Sequence, residues 1–587
     1  MRKRIFSFLL VASLLCGATA SAADHDNWNL SGTEQIYVHV NGTLFLTGEY
    51  MYYTVYCLDR AKGVLSQQSK IAYIELIGKD QKAVFKQKIA LDKGVGRADF
   101  FIPNRVGSGS YKLIAYTMGM KPMGLEHFYQ QDIRIINPYL GDQSSIVSET
   151  AAMGGVKAEV DSEKTKKQEV AATPGTNQFE LLMETDTFRR RSEVEVALRN
   201  NINLNGLGRY SMSVRRLDQL PEKAPRSSVD VVTGSDRKNV MGSPNLFSIE
   251  KEGSIVSGTL ISKVSDRTVG GRDVALSIPG KNFYFKVDTA SEDGTFRFYI
   301  DPNLQSESAY VQVMGEGKED FLIVMDQTDD LDYRSLSFDA FQIDPSMEST
   351  IVNRSIQNQI ENAYFEAKPD TVKEQVPDKP FIYYEKKLRY DLDEYTRFNT
   401  VEEVFQEIVK LVWTARDKDG ERFVRVYKNE FSEPTRDPAL VFVDGVFIQD
   451  HSDVLDMNAD QIQHVTVVRN AYRFGGTDYQ GVVLLETKTG GYAYPPNSYT
   501  LQLSPVNCEQ RKDYFQQGYD SAGRETDHRI PDFRTQLYWN PEIVLTKGEE
   551  RFSFFTSDAT GLYEIALEGF TNDGQPVSLR KRIRVID

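Results

Sequence analysis

Residues 439–488 decide how this chain is read: Ala439-Leu440-Val441-Phe442-Val443-Asp444-Gly445, then Ile462-Gln463-His464-Val465-Thr466-Val467-Val468-Arg469, then Phe474-Gly475-Gly476, then Gly481-Val482-Val483-Leu484-Leu485-Glu486-Thr487-Lys488. Apolar runs of strand length are punctuated by glycines, and Gly475-Gly476 and Gly490-Gly491 read as turns. Upstream, Thr400-Val401-Glu402-Glu403 forms a capping box, with Thr400 as N-cap and Glu403 reaching back. Val401, Val404, Phe405, Ile408, Val409 and Val412 follow at helical spacing and make one apolar face. Asp419-Gly420 then turns into Phe423-Val424-Arg425-Val426-Tyr427, a strand that leads into the quoted stretch. A helix followed by strands makes a small α+β unit, placed at 396–491.

The quoted residues resemble the plug domain of TonB-dependent outer-membrane receptors. That family shows a P-L-hydrophobic-V-D-G strand, an I-E-x-I-E-V-x-R strand and a Y-G-x-x-x-x-x-G-V-I-x-I-x-T-K ending. The residues that carry the resemblance here are Asp444, Gly445, Arg469, Gly475, Gly481, Thr487 and Lys488. In such receptors the plug sits inside a barrel that follows it. Here residues 489–587 follow, and a plugged barrel needs roughly 22 strands of about 10 residues each. The expectation is a plug-like unit without its own barrel, used for docking and not for gating a pore.

The N-terminus reads as a secretory signal over 1–22. Arg2, Lys3 and Arg4 precede the apolar run Ile5 to Leu15, and Ala20-Ser21-Ala22 supplies a cleavage site. No later stretch is apolar enough to span a membrane. The chain carries a formal charge of −15, and loss of residues 1–22 removes three basic and no acidic residues. So acidic a protein is a poor ligand for nucleic acid, which binds basic patches. Cys57 and Cys508 remain after cleavage; a disulfide between them and two free thiols are both open, whereas a cystine scaffold or a cysteine-ligated zinc site is excluded by count.

Outward from the α+β unit the pattern is β. Residues 23–140 alternate apolar and polar in short runs, among them Ile36–Val40, Ala72–Leu76 and Tyr111–Tyr116, and argue for a β-sandwich. The stretch is similar to the macroglobulin-like domains of large secreted proteins of Bacteroidetes-type bacteria, through Tyr37, His39, Gly48-Glu49, Tyr73-Ile74-Glu75-Leu76, Gly109-Ser110-Tyr111 and Ile135-Ile136-Asn137-Pro138. Residues 141–177 have the composition of a flexible linker. Residues 178–248 read as a second macroglobulin-like sandwich. Residues 249–345, with Asp293-Gly294-Thr295-Phe296-Arg297-Phe298, resemble a carboxypeptidase regulatory-like sandwich, a name that implies no peptidase activity. Residues 346–395 read as a helical and charged connector, with a helix over Ile351 to Phe365, and 492–587 as a C-terminal sandwich. The fold class is therefore mainly β: serial immunoglobulin-like or macroglobulin-like sandwiches with one α+β plug-like domain.

No catalytic constellation emerges. The six histidines are scattered, without H-x-x-x-H or H-E-x-x-H spacing. Cys508-Glu509-Gln510 lacks the glycine and spacing of the C-G-E-Q thioester that protease-trapping macroglobulins carry. The acidic runs Asp326–Asp332 and Asp391–Glu394 lack the spacing of a calcium loop. Asp288-Thr289-Ala290 and Asp370-Thr371-Val372 resemble short sites of periplasmic O-glycosylation. No cofactor and no metal is expected, and the protein is not expected to be an enzyme. The expectation is an exported binding or scaffold protein of the bacterial outer membrane or periplasm. It would dock a protein partner, a barrel or a TonB-system component, through the plug-like domain. The alternatives are an accessory of a TonB-dependent uptake system and a macroglobulin-type protease inhibitor without the thioester.

Overall fold

The computed structural model describes residues 34–144, 146–147, 179–200, 207–233, 249–265, 267–280, 283–326, 330–373, 387–418, 420–428, 436–505, 507–519, 529–546 and 548–587. The signal segment, and most of the 141–177 linker, lie outside the described residues. The fold is mainly β. Among the described residues no helix is long and apolar enough to cross a membrane.

The first sandwich pairs two antiparallel-rich sheets. One joins Glu34–Val40, Tyr50–Asp59, Val64–Leu65 and Val95–Phe101; the other runs Leu44–Leu46, Tyr129–Ile136, Gly109–Tyr116, Ile71–Gly78, Ala83–Ala90. Its core stacks aromatic rings between the layers, with Tyr37, Tyr53 and Tyr56 fully buried.

The linear partition of the remaining β-units changes. The strands Phe179–Leu182, Thr187–Arg189, Glu193–Asn200 and Gly208–Leu217 do not form a sandwich by themselves. They interleave with Gln536–Leu545, Glu549–Phe555, Gly561–Thr571 and Pro576–Ile586, in sheets of three and five strands. The two units read as 178–248 and 492–587 are halves of one composite sandwich. The reason is burial: Val194, Val196, Tyr210 and Met212 share one core with Ile543, Tyr563 and Ile565, and neither half alone could cover its apolar face.

The third sandwich also borrows. Its sheets are Thr295–Ile300, Ser254–Ser262, Phe321–Met325 and Tyr284–Thr289, Asp273–Ile278, Ala309–Val313, Thr500–Leu503. The last strand comes from the segment read as C-terminal. Conversely, 331–343 leaves this sandwich, although the linear reading extended it to 345. Tyr333 and Leu336 enter the first core, and the Ser110 hydroxyl donates to the Asp339 carbonyl at 2.6 Å.

The connector at 346–395 is equally tied in. Its helix, Glu348–Ala363, lies against the first sandwich. The buried Arg354 guanidinium donates to Glu49 at 2.7 and 2.8 Å, to Asp218 at 2.6 Å and to the Leu44 carbonyl at 3.2 Å. One side chain thus joins the first sandwich, the composite sandwich and the helix. Ile146, at the start of the expected linker, packs beside Leu44, Ile343 and Ile351. The first and composite sandwiches meet through Arg97–Glu542 at 2.6 Å and through His39 Nδ1 and Ser211 Oγ at 2.6 Å.

Candidate functional site

The plug-like unit is a five-stranded sheet in the order Lys387–Asp391, Ile462–Phe474, Thr477–Thr487, Leu440–Val443, Val446–Ile448, with the hairpin Val412–Arg416 and Arg422–Val426 beside it. Thr400 and Glu403 form the full capping box, and the helix they open runs Val401–Glu407. It is shorter than the apolar spacing implied. Leu411 takes φ +66°, and Val412 starts a strand. Val409 and Val412 are still buried, but from the turn and strand.

The resemblance-derived residues occupy turns and joints. Asp444 and Gly445 have φ +49° and +87° and make the tight turn between Leu440–Val443 and Val446–Ile448, the conformation of a primed hairpin turn. The Asp444 carboxylate accepts the backbone N–H of Thr487 at 2.8 Å, that of Tyr492 at 2.9 Å, and the Thr487 hydroxyl. It thereby fixes the exit of the last long strand. Lys488 lies 3.9 Å from Asp393 at the surface. Arg469 is half-buried, and its carbonyl accepts Gln480 Nε2 at 2.7 Å. Gly481, at φ +84°, lets Val426 approach: a Cβ there would lie 2.5 Å from the Val426 Cβ.

Two of the motif glycines reach outside the unit. A Cβ on Gly445 would stand 2.3 Å from the Phe283 Cβ of the third sandwich. Gly475, at φ +55°, abuts Asp273, and Gly476 N–H donates to the Asp273 carboxylate at 2.9 Å. Between these anchors lies a continuous apolar joint. Phe442, Phe447, Val468 and Val482 pack on Ala275, Phe285 and Met314. Phe285 makes ring contacts with Phe442 at 5.1 Å and with Phe447 at 4.9 Å. Gln312 Nε2, fully buried, donates to the Phe447 carbonyl at 3.0 Å. The opposite face carries Val441, Val443, Val465, Val467, Val483 and Leu485 against Val401, Val404 and Phe405. Both faces of the plug-like sheet are therefore covered by this chain itself.

Asp273, Phe283, Phe285 and Gln312 escaped the sequence reading. One signal was present: Val274-Ala275-Leu276-Ser277-Ile278 is buried at every position, the pattern of a strand covered on both sides.

The residues weighed for chemistry take structural places. His464 sits between Asp391 at 3.5 Å and Glu486 at 3.1 Å on the surface of the sheet. His451 is buried, accepts Val424 N–H at 2.8 Å, and is pushed down to about 4 by burial. Asp330 pairs with Lys86 at 2.8 Å, and Asp393 pairs with Arg397. Among the described residues no three His, Cys, Asp or Glu side chains converge as a metal site. Cys57 and Cys508 are free buried thiols in separate clusters, and burial pushes Cys508 up to about 12. The Thr289 hydroxyl donates to Asp273 at 2.7 Å, while Thr371 lies exposed in a two-residue strand.

No family model matches this chain, and no curated protein matches it. Among solved structures, Salmonella alpha-2-macroglobulin reacted with methylamine aligns at 8% identity and TM-score 0.23, over 94% of this chain and 39% of that one. Native Escherichia coli alpha-2-macroglobulin aligns at 11% identity and TM-score 0.23, over 95% and 40%. The trypsin-activated form aligns at 9% identity and TM-score 0.24, over 95% and 42%. The chain spans about two fifths of the length of these proteins. With TM-scores this low, the likenesses bear on neither the fold nor the function of this chain.

Proposed function

We propose that this chain is a non-enzymatic binding or scaffold protein of the bacterial outer membrane or periplasm, which docks a protein partner there. The plug-like unit acts in it as one wall of a larger block. Its sheet faces are filled, and its free edge strand, Lys387–Asp391, carries Lys387, Arg389 and Asp391, charges that discourage strand pairing. The edge suited to a partner lies elsewhere. Phe321–Met325 ends its sheet among the described strands, and Leu322 and Val324 are 47% and 43% exposed beside Ile261 at 49%. That edge is the observation that carries the reading: an apolar edge strand offers a row of N–H and C=O groups plus alternating side-chain seats to an added strand.

The test is cross-linking and affinity purification of the tagged protein from outer membranes of its native host. A stoichiometric protein partner is expected, and it is lost in the Leu322→Lys/Val324→Lys variant, in which the fold persists because both side chains already face water. Recovery of the protein alone, or a partner indifferent to the double variant, contradicts the reading.

A further inference from the structure

A cleft of about 160 Å³ opens where the first sandwich, the composite sandwich and the Glu348–Ala363 helix meet. Four near-parallel rings run along it from solvent to core: Phe365, Tyr50, Tyr52 and Trp539. Their centroids are 6.1, 5.7 and 5.9 Å apart, with interplanar angles of 10°, 16° and 25°. Phe365 is 45% exposed and Trp539 4%. Parallel rings this far apart are staggered, so each leaves part of its electron-rich face uncovered by the next. Tyr514 closes the inner side, edge-on to Tyr52 at 5.1 Å.

The polar lining is one-sided. Its cations are engaged: Lys368 with Glu361 at 2.6 Å, Arg534 with Asp532 at 2.7 Å, and Arg215 with the Leu44 carbonyl at 2.6 Å. Asn358 and Asn362 direct their amide N–H groups to the Thr47 and Gly48 carbonyls at 3.2 and 3.0 Å, which leaves their side-chain oxygens as acceptors. Asp370 accepts the Phe515 N–H at 2.9 Å. The cation acting on it, Lys512, is bonded to Asp99 at 2.9 and 3.0 Å, and among the described residues no lysine or arginine forms a close ion pair with Asp370 itself. Burial and the neighbouring Asp99 hold its carboxyl above the usual range. The cleft thus offers π faces, acceptors and one carboxylate outside any close ion pair, in a protein of formal charge −15. Its volume is below the roughly 300 Å³ at which pockets for whole organic ligands begin, and it suits a single head group.

We propose that this cleft binds an organic ammonium head group, that of a lysine side chain or a free amine. The cation lies on the Tyr50 and Phe365 faces, with Asp370 as counter-charge. This site is independent of the strand edge at Phe321–Met325.

Isothermal titration of the intact protein tests it with three probes: n-butylammonium, a capped Gly-Gly-Lys-Gly-Gly peptide, and the same peptide with norleucine for lysine. Saturable binding of one cation per chain is expected, weaker by about tenfold for the norleucine peptide. Phe365→Ala and Asp370→Asn should each weaken the cation by several-fold while leaving the thermal midpoint in place, since Phe365 is exposed and Asn can still accept the Phe515 N–H. A lysine peptide that binds better than the amine identifies a protein side chain as the source; the reverse identifies a small amine; both support the site. No heat from either cation, equal binding of the norleucine peptide, or binding unchanged in both variants overturns it.

Discussion

Arg354 is the residue on which most of the molecule converges. It lies in the middle of a polar helix between Asn353 and Ser355, and nothing in the sequence separates it from its neighbours. Its partners Glu49 and Asp218 are 305 and 136 positions away. Removal leaves Asp218 without its ion-pair partner and Glu49 with Arg215 at 3.7 Å as its remaining one, so Arg354→Ala should lower stability by about 3 kcal/mol in urea unfolding. Arg354→Lys should recover little of it, because a lysine cannot span Glu49 bidentately while reaching Asp218. A loss under 1 kcal/mol, the scale of an exposed pair, would contradict this role.

Glu250 gives a prediction in pH. It is 2% exposed, accepts the Tyr73 hydroxyl at 2.9 Å and Ile255 N–H at 3.3 Å, and has Lys88 and Cys508 nearby. Burial pushes its carboxyl from 4.5 up to about 7. The folded state therefore favours the protonated acid. That contribution is complete below about pH 4.5 and is lost as pH rises through about 7. Unfolding free energy measured from pH 5 to 8 should fall more steeply for the natural protein than for Glu250→Gln; parallel curves would refute it.

At the scale of elements, local grammar was legible and long-range partnership was not. The Thr400 capping box was readable because all its atoms lie within four residues. Thr400→Ala should cost about 1 kcal/mol. The strand-and-glycine pattern around Asp444-Gly445 and Gly475-Gly476 was readable for the same reason. What the glycines touch was not, since Phe283 and Asp273 lie far off in sequence. Gly445→Ala meets two obstacles, a φ of +87° and a Phe283 Cβ at 2.3 Å. It should destabilise by at least about 2 kcal/mol and speed proteolysis between the third sandwich and the plug-like unit. A wild-type cleavage rate in this variant would mean that the joint does not close as described.

At the scale of the whole molecule, alternation told which residues face a core but not which core they share. Among its described residues the segment 178–248 has four strands, fewer than the seven of a complete immunoglobulin-type sandwich. Truncation after residue 535 should expose Val194, Val196, Tyr210 and Met212 and send the protein into aggregates, while co-expression of 536–587 restores it. The same weaving explains why the plug-like resemblance led to a separable docking domain. The strands and turns that carry the resemblance are formed, but Leu440, Phe442 and Val482 are fully buried in the joint with the third sandwich. The most direct test of that joint is native-state hydrogen exchange on the intact chain. The account predicts that amides of 440–448 and 462–487 open together with those of 273–278 and 309–313, at one common free energy. Independent, faster opening of the plug-like strands would contradict it.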